Sequence, residues 1–181
     1  GKQVRNTSPT AAIKNHFAMV TEDRLRQGAI YSLSILGNTT LSAFKKICNR
    51  FGFFAKKSEK QSFLKIANEL SIKYGSENDL ITSLSGGNQQ KVIIGRACMV
   101  NPTILLLDEP TRGIDVGAKH EIYRLIDELA RQGITIVMVS SELAELLALC
   151  DRIGVVRDGQ IVFECQKEEA SQELLMSYAF K

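Results

Sequence analysis

The chain has no long hydrophobic run, no large excess of one charge and no cluster of cysteine or histidine. Its longest apolar stretches, such as 104–107 and 134–139, fall far short of the roughly 18 residues that a bilayer-spanning helix needs. With 23 Lys and Arg against 20 Asp and Glu, it lacks the basic excess typical of a nucleic-acid binder. Cys48, Cys98, Cys150 and Cys165 are scattered, and His16 and His120 stand apart, so no zinc-ligand spacing emerges. The thiols read as reduced packing residues of a cytosolic protein. No basic leader followed by a small-residue cleavage site opens the sequence. A phosphate-cradling GxxxxGK[ST] loop is missing too. Gly1-Lys2 is followed by Gln3 where such a loop carries Ser or Thr, so GKQVRNTSPT reads as a truncated strand or turn remnant. What is present is an ordinary globular composition, 44% hydrophobic and 24% charged over 181 residues. That is enough for one sizeable domain with a smaller subdomain.

Pro9 opens a short helix, and HFAMV at 16–20 is a strand. Glu22-Asp23-Arg24 follows where that strand exits, either as site residues or as a solvated turn. From Asn38 to about Ile81 the pattern is helical. Asn38 is expected to cap a helix carrying Leu41, Phe44, Ile47, Cys48 and Phe51, and residues 51–54 break it. Ser58 and Gln61 suggest a capping box for a second helix with Phe63, Ala67, Leu70 and Tyr74 on one face and Gly75 as its stop. Beyond Ser83, helices and strands alternate. Residues 103–107 and 134–140 read as strands covered on both faces. Between them Asp115 caps a helix with Ile122, Leu125, Ile126 and Leu129 inward and Gly133 at its end. A short helix at 142–149, a hairpin turning at Asp158-Gly159 and a helix at about 168–178 complete the chain.

Two motifs carry chemistry. Ser85-Gly86-Gly87 opens a helix, where backbone N–H groups and the helix dipole favour an anion and glycine permits close approach. Asp108-Glu109 ends an apolar strand. One carboxylate suits Mg²⁺ held largely through water, and the other suits an attacking water as general base or orienter. Each motif alone is also compatible with a tight turn or a loop carboxylate pair.

Together, LSGGNQQK at 84–91 and LLLDEPTRGID at 105–115 resemble the signature motif, Walker B and D-loop of ABC transporter ATPases. EDR at 22–24, EIYRLI, VSSELAEL and DRIGVVRDG extend the likeness to the second half of the fused, two-half ATPases of monosaccharide importers of ribose, galactose and xylose type. The resemblance implies an α/β fold, an incomplete ABC-type ATPase core (RecA-like, mostly parallel sheet) with an inserted α-helical subdomain. Its parts would be a core remnant with the Q-loop region at 1–33, the helical subdomain at 34–83, the core with its motifs at 84–165 and a C-terminal helix at 166–181. Ser85, Gly86 and Gly87, flanked by Asn88 and Gln89, would contact ATP held by the other ATPase half. Asp108 would hold Mg²⁺, Glu109 would be the catalytic carboxylate and Asp115 the D-loop aspartate.

Three departures accompany the likeness. Walker A is absent from the sequence, Glu22 stands at the Q-loop glutamine position, and Ser141 stands at the switch histidine position. Serine lacks the proton chemistry of imidazole. These departures imply a weak site on this half, whereas the intact signature implies an active one in its partner. The implied partners are the other half, transmembrane permease subunits and, indirectly, a solute-binding protein, but not nucleic acid. The implied location is peripheral, at the cytoplasmic face of the membrane. Alternative readings are a catalytically incompetent interaction module, an importer of nucleosides or other small solutes, and an ABC-type ATPase of DNA repair or translation, which the charge balance disfavours.

Overall fold

The computed structural model describes residues 3–48 and 55–180, which divide into two compact units, Gly1–Val137 and Met138–Lys181. The first opens with helix α1 (Pro9–Lys14), where Pro9 sits in the first turn and Ser8 Oγ accepts from the Ala11 N–H at 3.2 Å. Strand β1 (Phe17–Val20) then pairs in parallel with β2 (Ile104–Asp108), in the register Phe17 to Ile104 through Val20 to Leu107. With β3 (Thr135–Val139) they form a sheet in the order β1-β2-β3.

One face of β1 and β2 is well buried, and β3 has no fully buried position. Val20, Leu105 and Leu107 are nearly inaccessible, and helix α5 (Gly86–Cys98) packs against β1 with Val92, Ile93 and Ile94 inside. On the alternate positions Met19 is 55% exposed, Val137 51% and Val139 59%. This corrects the expectation of strands covered on both faces. A run of branched apolar residues reports strand propensity, but it does not report which layers lie above and below.

The segment after β1 is neither open loop nor simple turn. Residues Arg24–Gly28 make one π-helical turn. Further helices follow: α2 (Ile35–Thr40), a 3₁₀ turn, α3 (Phe44–Ile47) and α4 (Lys56–Glu69). Ser34 caps α2 by accepting from the Gly37 N–H at 3.1 Å, in place of the expected Asn38. Asn38 is buried inside that helix. Its Oδ1 accepts from the Ile30 N–H at 2.8 Å, and its Nδ2 donates to the Ile30, Leu33 and Ser34 carbonyls. Ser and Asn have the same capping chemistry, so sequence alone misplaced the start by one turn.

Helix α4 likewise starts before Ser58, which with Gln61 lies inside it instead of forming a capping box. It ends before Gly75: Ser71 takes the left-handed conformation (φ 49°) and the Ile72 N–H returns to the Ala67 carbonyl. Phe63, Ala67 and Leu70 are buried as expected, with Tyr74 edge-to-face on Phe63 at 5.3 Å. Leu41 and Phe44 are exposed, and the expected aromatic break at 51–54 lies outside the described residues. Helix α6 (Val116–Arg131) follows the sequence reading: Asp115 caps it through the Ala118 N–H at 2.9 Å, four apolar residues face inward, and Gly133 turns the chain at φ 92°.

In the second unit, α7 (Leu143–Leu149) precedes antiparallel strands β4 (Arg152–Arg157) and β5 (Gln160–Gln166). Asp158 and Gly159, at φ 51° and 77°, make the tight hairpin turn. Helix α8 (Gln172–Ala179) begins later than expected because Ser171 caps it, after a short 3₁₀ turn at Lys167–Glu169. Ile153, Val155, Cys165 and Leu175 form this unit's core.

Candidate nucleotide-binding site

Ser85 occupies the cap position of α5 with extended backbone (φ −61°, ψ 157°), yet its hydroxyl takes none of the helix's backbone N–H groups. Ser85 Oγ accepts instead from Asn88 Nδ2 at 3.0 Å, while Asn88 Oδ1 accepts from the Lys73 N–H at 2.8 Å. Gln89 Nε2 donates to the Leu84 carbonyl at 3.0 Å and fixes the approach to the turn. An ordinary cap serine would consume one of the first N–H groups of its helix. Here the Ser85 side chain leaves those groups uncapped, and the 13-residue helix supplies the dipole behind them.

Gly87 is a packing requirement as well. A Cβ on Gly87 would stand 2.6 Å from Ala118 Cβ, so the start of α5 lies directly on the first turn of α6, just past Asp115. Gly86 lies under the Arg24 guanidinium, whose Nη1 donates to the Gly86 carbonyl at 3.4 Å. Arg24 Nε is buried without a hydrogen-bond partner.

Asp108 and Glu109 are half-buried at the end of β2. Glu109 has left-handed backbone (φ 46°), a strained conformation for a side chain with a Cβ, and it redirects the chain straight after the strand. Three residues on, Arg112 forms an ion pair with Glu22. The pair borders a cleft of about 520 Å³ lined by Glu22, Asp23, Arg24, Gln27, Arg112 and Gly113. Among the described residues no three His, Cys, Asp or Glu side chains cluster as a metal cage. The two adjacent carboxylates of Asp108 and Glu109 are a donor set of the kind Mg²⁺ accepts, since it takes one or two carboxylates and completes its shell with water and phosphate oxygens.

A charge network with one buried member, Lys91, supports α5 from behind. Lys91, its side chain 5% exposed, donates from Nζ to Glu121 Oε2 at 2.7 Å and to the Ser71 carbonyl at 3.1 Å. Lys73 reaches the same carboxylate at 3.2 Å. Hydrogen bonds from Lys91, then from Lys73, hold the Glu121 carboxyl below the usual carboxylate range. A depressed folded-state pKa means stability present above the unfolded value and lost as pH falls through the folded one. Replacing Glu121 with Gln should therefore cost about 1–2 kcal/mol at neutral pH, a modest figure because the carboxylate is partly exposed and solvent-screened. Urea unfolding should show that deficit shrinking as pH falls below the unfolded-state value of about 4.3 and vanishing once it has passed through the depressed folded-state one. A deficit independent of pH would remove the electrostatic account.

Ser141 belongs to the second unit and is exposed between β3 and α7. Beside it Ser140 Oγ donates to the buried Glu145 carboxylate at 2.8 Å and accepts from the Glu142 N–H at 3.0 Å. The geometry thus gathers Ser85, Gly86, Gly87, Asn88 and Gln89 at one helix start, beside the helix that Asp115 caps. Glu22 is joined to Arg112, and Asp108 with Glu109 closes β2. Sequence reasoning named Arg24 only as part of the Glu22–Arg24 cluster and gave no role to Arg112, Lys91 or Glu121. Of these, Lys91 left a signal: it interrupts the apolar positions of α5, where a lone cation needs a buried partner.

The ABC transporter family model matches residues 1–112. The chain is 46% identical to the ribose import ATP-binding protein of Caldanaerobacter subterraneus subsp. tengcongensis, over 97% of this chain and 36% of that protein. It is 45% identical to the xylose import ATP-binding protein of Moorella thermoacetica, over 99% of this chain and 35% of that one. A galactose/methyl galactoside import ATP-binding protein of Mannheimia succiniciproducens is 44% identical, over 100% of this chain and 36% of its own. The chain thus spans about a third of the length of these curated relatives. Among solved structures, an ATP-binding cassette of an ABC transporter superposes with a TM-score of 0.77 at 23% identity, covering 97% of this chain and 73% of that one. A dimeric ATP-binding cassette in a post-hydrolysis state with ADP and Pi gives 0.68 at 27% identity, covering 83% and 62%. The chain belongs to the ABC transporter family and has the α/β fold of its ATP-binding cassettes.

Proposed function

We propose that the chain is part of the ATPase of a sugar importer of ribose, xylose or galactose type, acting as its second ATPase half. The observation that carries this reading is the start of α5, glycine-lined and with its cap serine drawn away from the backbone N–H groups by Asn88. Those N–H groups and the Ser85 hydroxyl would receive the γ-phosphate of ATP bound by the other half. Asp115 and the first turn of α6, packed on Gly87, would meet that half at the same interface.

Asp108 would hold Mg²⁺ through water at this half's own nucleotide, and Glu109 would orient or deprotonate the attacking water. The chemistry is in-line phosphoryl transfer, driven by positioning and charge. The Glu22–Arg112 pair supports a weak site there. A carboxylate replaces the amide expected beside phosphates, and it is already neutralised by a neighbouring cation. The same pair is what favours the second reading, a half that only presents its signature turn. In either case the permease would receive the helical segment, whose exposed Tyr31, Leu41 and Phe44 offer apolar surface. A solute-binding protein would deliver the sugar on the far side, and the ATPase would be peripheral at the cytoplasmic face. Among the described residues no helix is long and apolar enough to cross a membrane.

Isothermal titration of the 181-residue chain with ATP and Mg²⁺ tests the division of labour. No binding is expected at micromolar nucleotide, because the signature turn meets ATP only when another half presents it. Micromolar affinity would show that this chain holds nucleotide unaided and would overturn the proposal.

A further inference from the structure

We infer that Asn88 is a positioning residue that aims the Ser85 hydroxyl and ties the signature turn to the backbone leaving α4. The inference rests on the proposed role of α5 in receiving phosphate. It starts from an assignment that the hydrogen-bond partners force. The Lys73 backbone N–H can only donate, so the Asn88 atom 2.8 Å from it must be the carbonyl oxygen. The amide NH₂ therefore faces Ser85 Oγ at 3.0 Å and makes that oxygen an acceptor. The serine's own hydrogen is left to donate elsewhere, which is the polarity that a phosphate oxygen requires. Without Asn88, a cap serine turns back onto its helix and claims one of the first N–H groups.

The other end of the contact is equally constrained. Lys73 follows Ser71, where the chain leaves α4, and this stretch is bonded to α5 at two points one turn apart. Asn88 holds the Lys73 N–H, and Lys91 Nζ holds the Ser71 carbonyl at 3.1 Å. Glu121 bridges Lys73 and Lys91 from α6. A displacement at the end of α4 would thus reach the serine hydroxyl through one side chain.

The test uses full-length protein and two readouts. For ATP hydrolysis, Ser85→Ala and Asn88→Ala should each lower kcat/KM by roughly tenfold, the effect of one lost hydrogen bond, while the double variant should fall no further than Ser85→Ala. Losses that multiply, to about a hundredfold, would mean that Asn88 does not act through Ser85. The second readout is hydrogen exchange at the Lys73 amide without nucleotide. Exchange should quicken in Asn88→Ala yet stay at the wild-type rate in Asn88→Asp, which keeps the acceptor for Lys73 but removes the donor to Ser85. Asn88→Asp should nevertheless lose activity, a split that a merely structural residue would not give. Unchanged Lys73 exchange in Asn88→Ala would overturn the positioning role. Exchange that changes as expected, with every variant hydrolysing ATP at the wild-type rate, would instead overturn the assignment of α5 to phosphate.

Discussion

In full-length protein, Ser85→Arg is expected to abolish ATP hydrolysis, whereas Glu109→Gln should leave a measurable fraction. Arginine at the cap position of α5 would fill the space in front of the N–H groups and remove the hydroxyl that Asn88 orients. Loss of the hydroxyl alone accounts for roughly tenfold, and denying a transition-state oxygen the positioned N–H donors costs on the order of a further 10²–10³ in kcat. In the proposed arrangement Glu109→Gln would touch a different nucleotide, the one nearer the Glu22–Arg112 pair. If that site turns over slowly in the native protein, removing its carboxylate subtracts little from the total. Steady-state phosphate release by the two variants reads this directly. Abolition by Glu109→Gln with full activity in Ser85→Arg would reverse the assignment of the active site.

The second large effect concerns stability. Gly87→Ala would set a methyl carbon 2.6 Å from Ala118 Cβ, where carbon atoms normally rest about 3.5–4.0 Å apart. Ala118 cannot retreat easily, because its N–H is held by the Asp115 carboxylate that caps α6. Overpacking of this kind should destabilise the fold by about 1–3 kcal/mol in chemical denaturation. Transferring the methyl, as Gly87→Ala combined with Ala118→Gly, should restore stability to within about 1 kcal/mol, the helix-propensity cost of glycine. ATP hydrolysis separates the two uses of Gly87. If the glycine also gives phosphate access to the backbone, the double variant regains stability but not activity. Full recovery of both would leave Gly87 as a spacer between two helices and nothing more.

What the sequence made legible was local. The cap at Asp115, the inward face of α6 and the Asp158-Gly159 turn each depend on a few consecutive residues, and each was found where expected. The signature and carboxylate motifs are likewise short, so the chemistry proposed for the candidate site rests on the sequence rather than on its geometry. Choices between equivalent residues were less secure. Ser34, not Asn38, caps α2, because either side chain can accept from the first N–H groups of a helix that follows it and only burial decides which one is needed inside. Ser71, not Gly75, ends the turn after α4, since tertiary packing there tolerates a left-handed residue with a Cβ. Contacts between distant segments were not legible at all. The Glu22–Arg112 pair, the Lys91–Glu121 pair and the Asn88–Lys73 bond join parts of the chain that only the fold brings together. Lys91 looked like one more polar residue on a helix. Its burial shows it to be a strut between α5, α6 and the end of α4.

With Glu109 in its proposed catalytic role, the left-handed backbone there would set stability and turnover against each other at one position. Glycine or asparagine adopts that conformation with less strain, by about 1 kcal/mol or more. Selection for heat tolerance alone would therefore favour discarding the carboxylate, and a library sorted by melting temperature would enrich the very variants that a library sorted by phosphate release rejects. The frequency of Glu at 109 in such a library would measure how much of the pressure on this fold comes from catalysis and how much from folding.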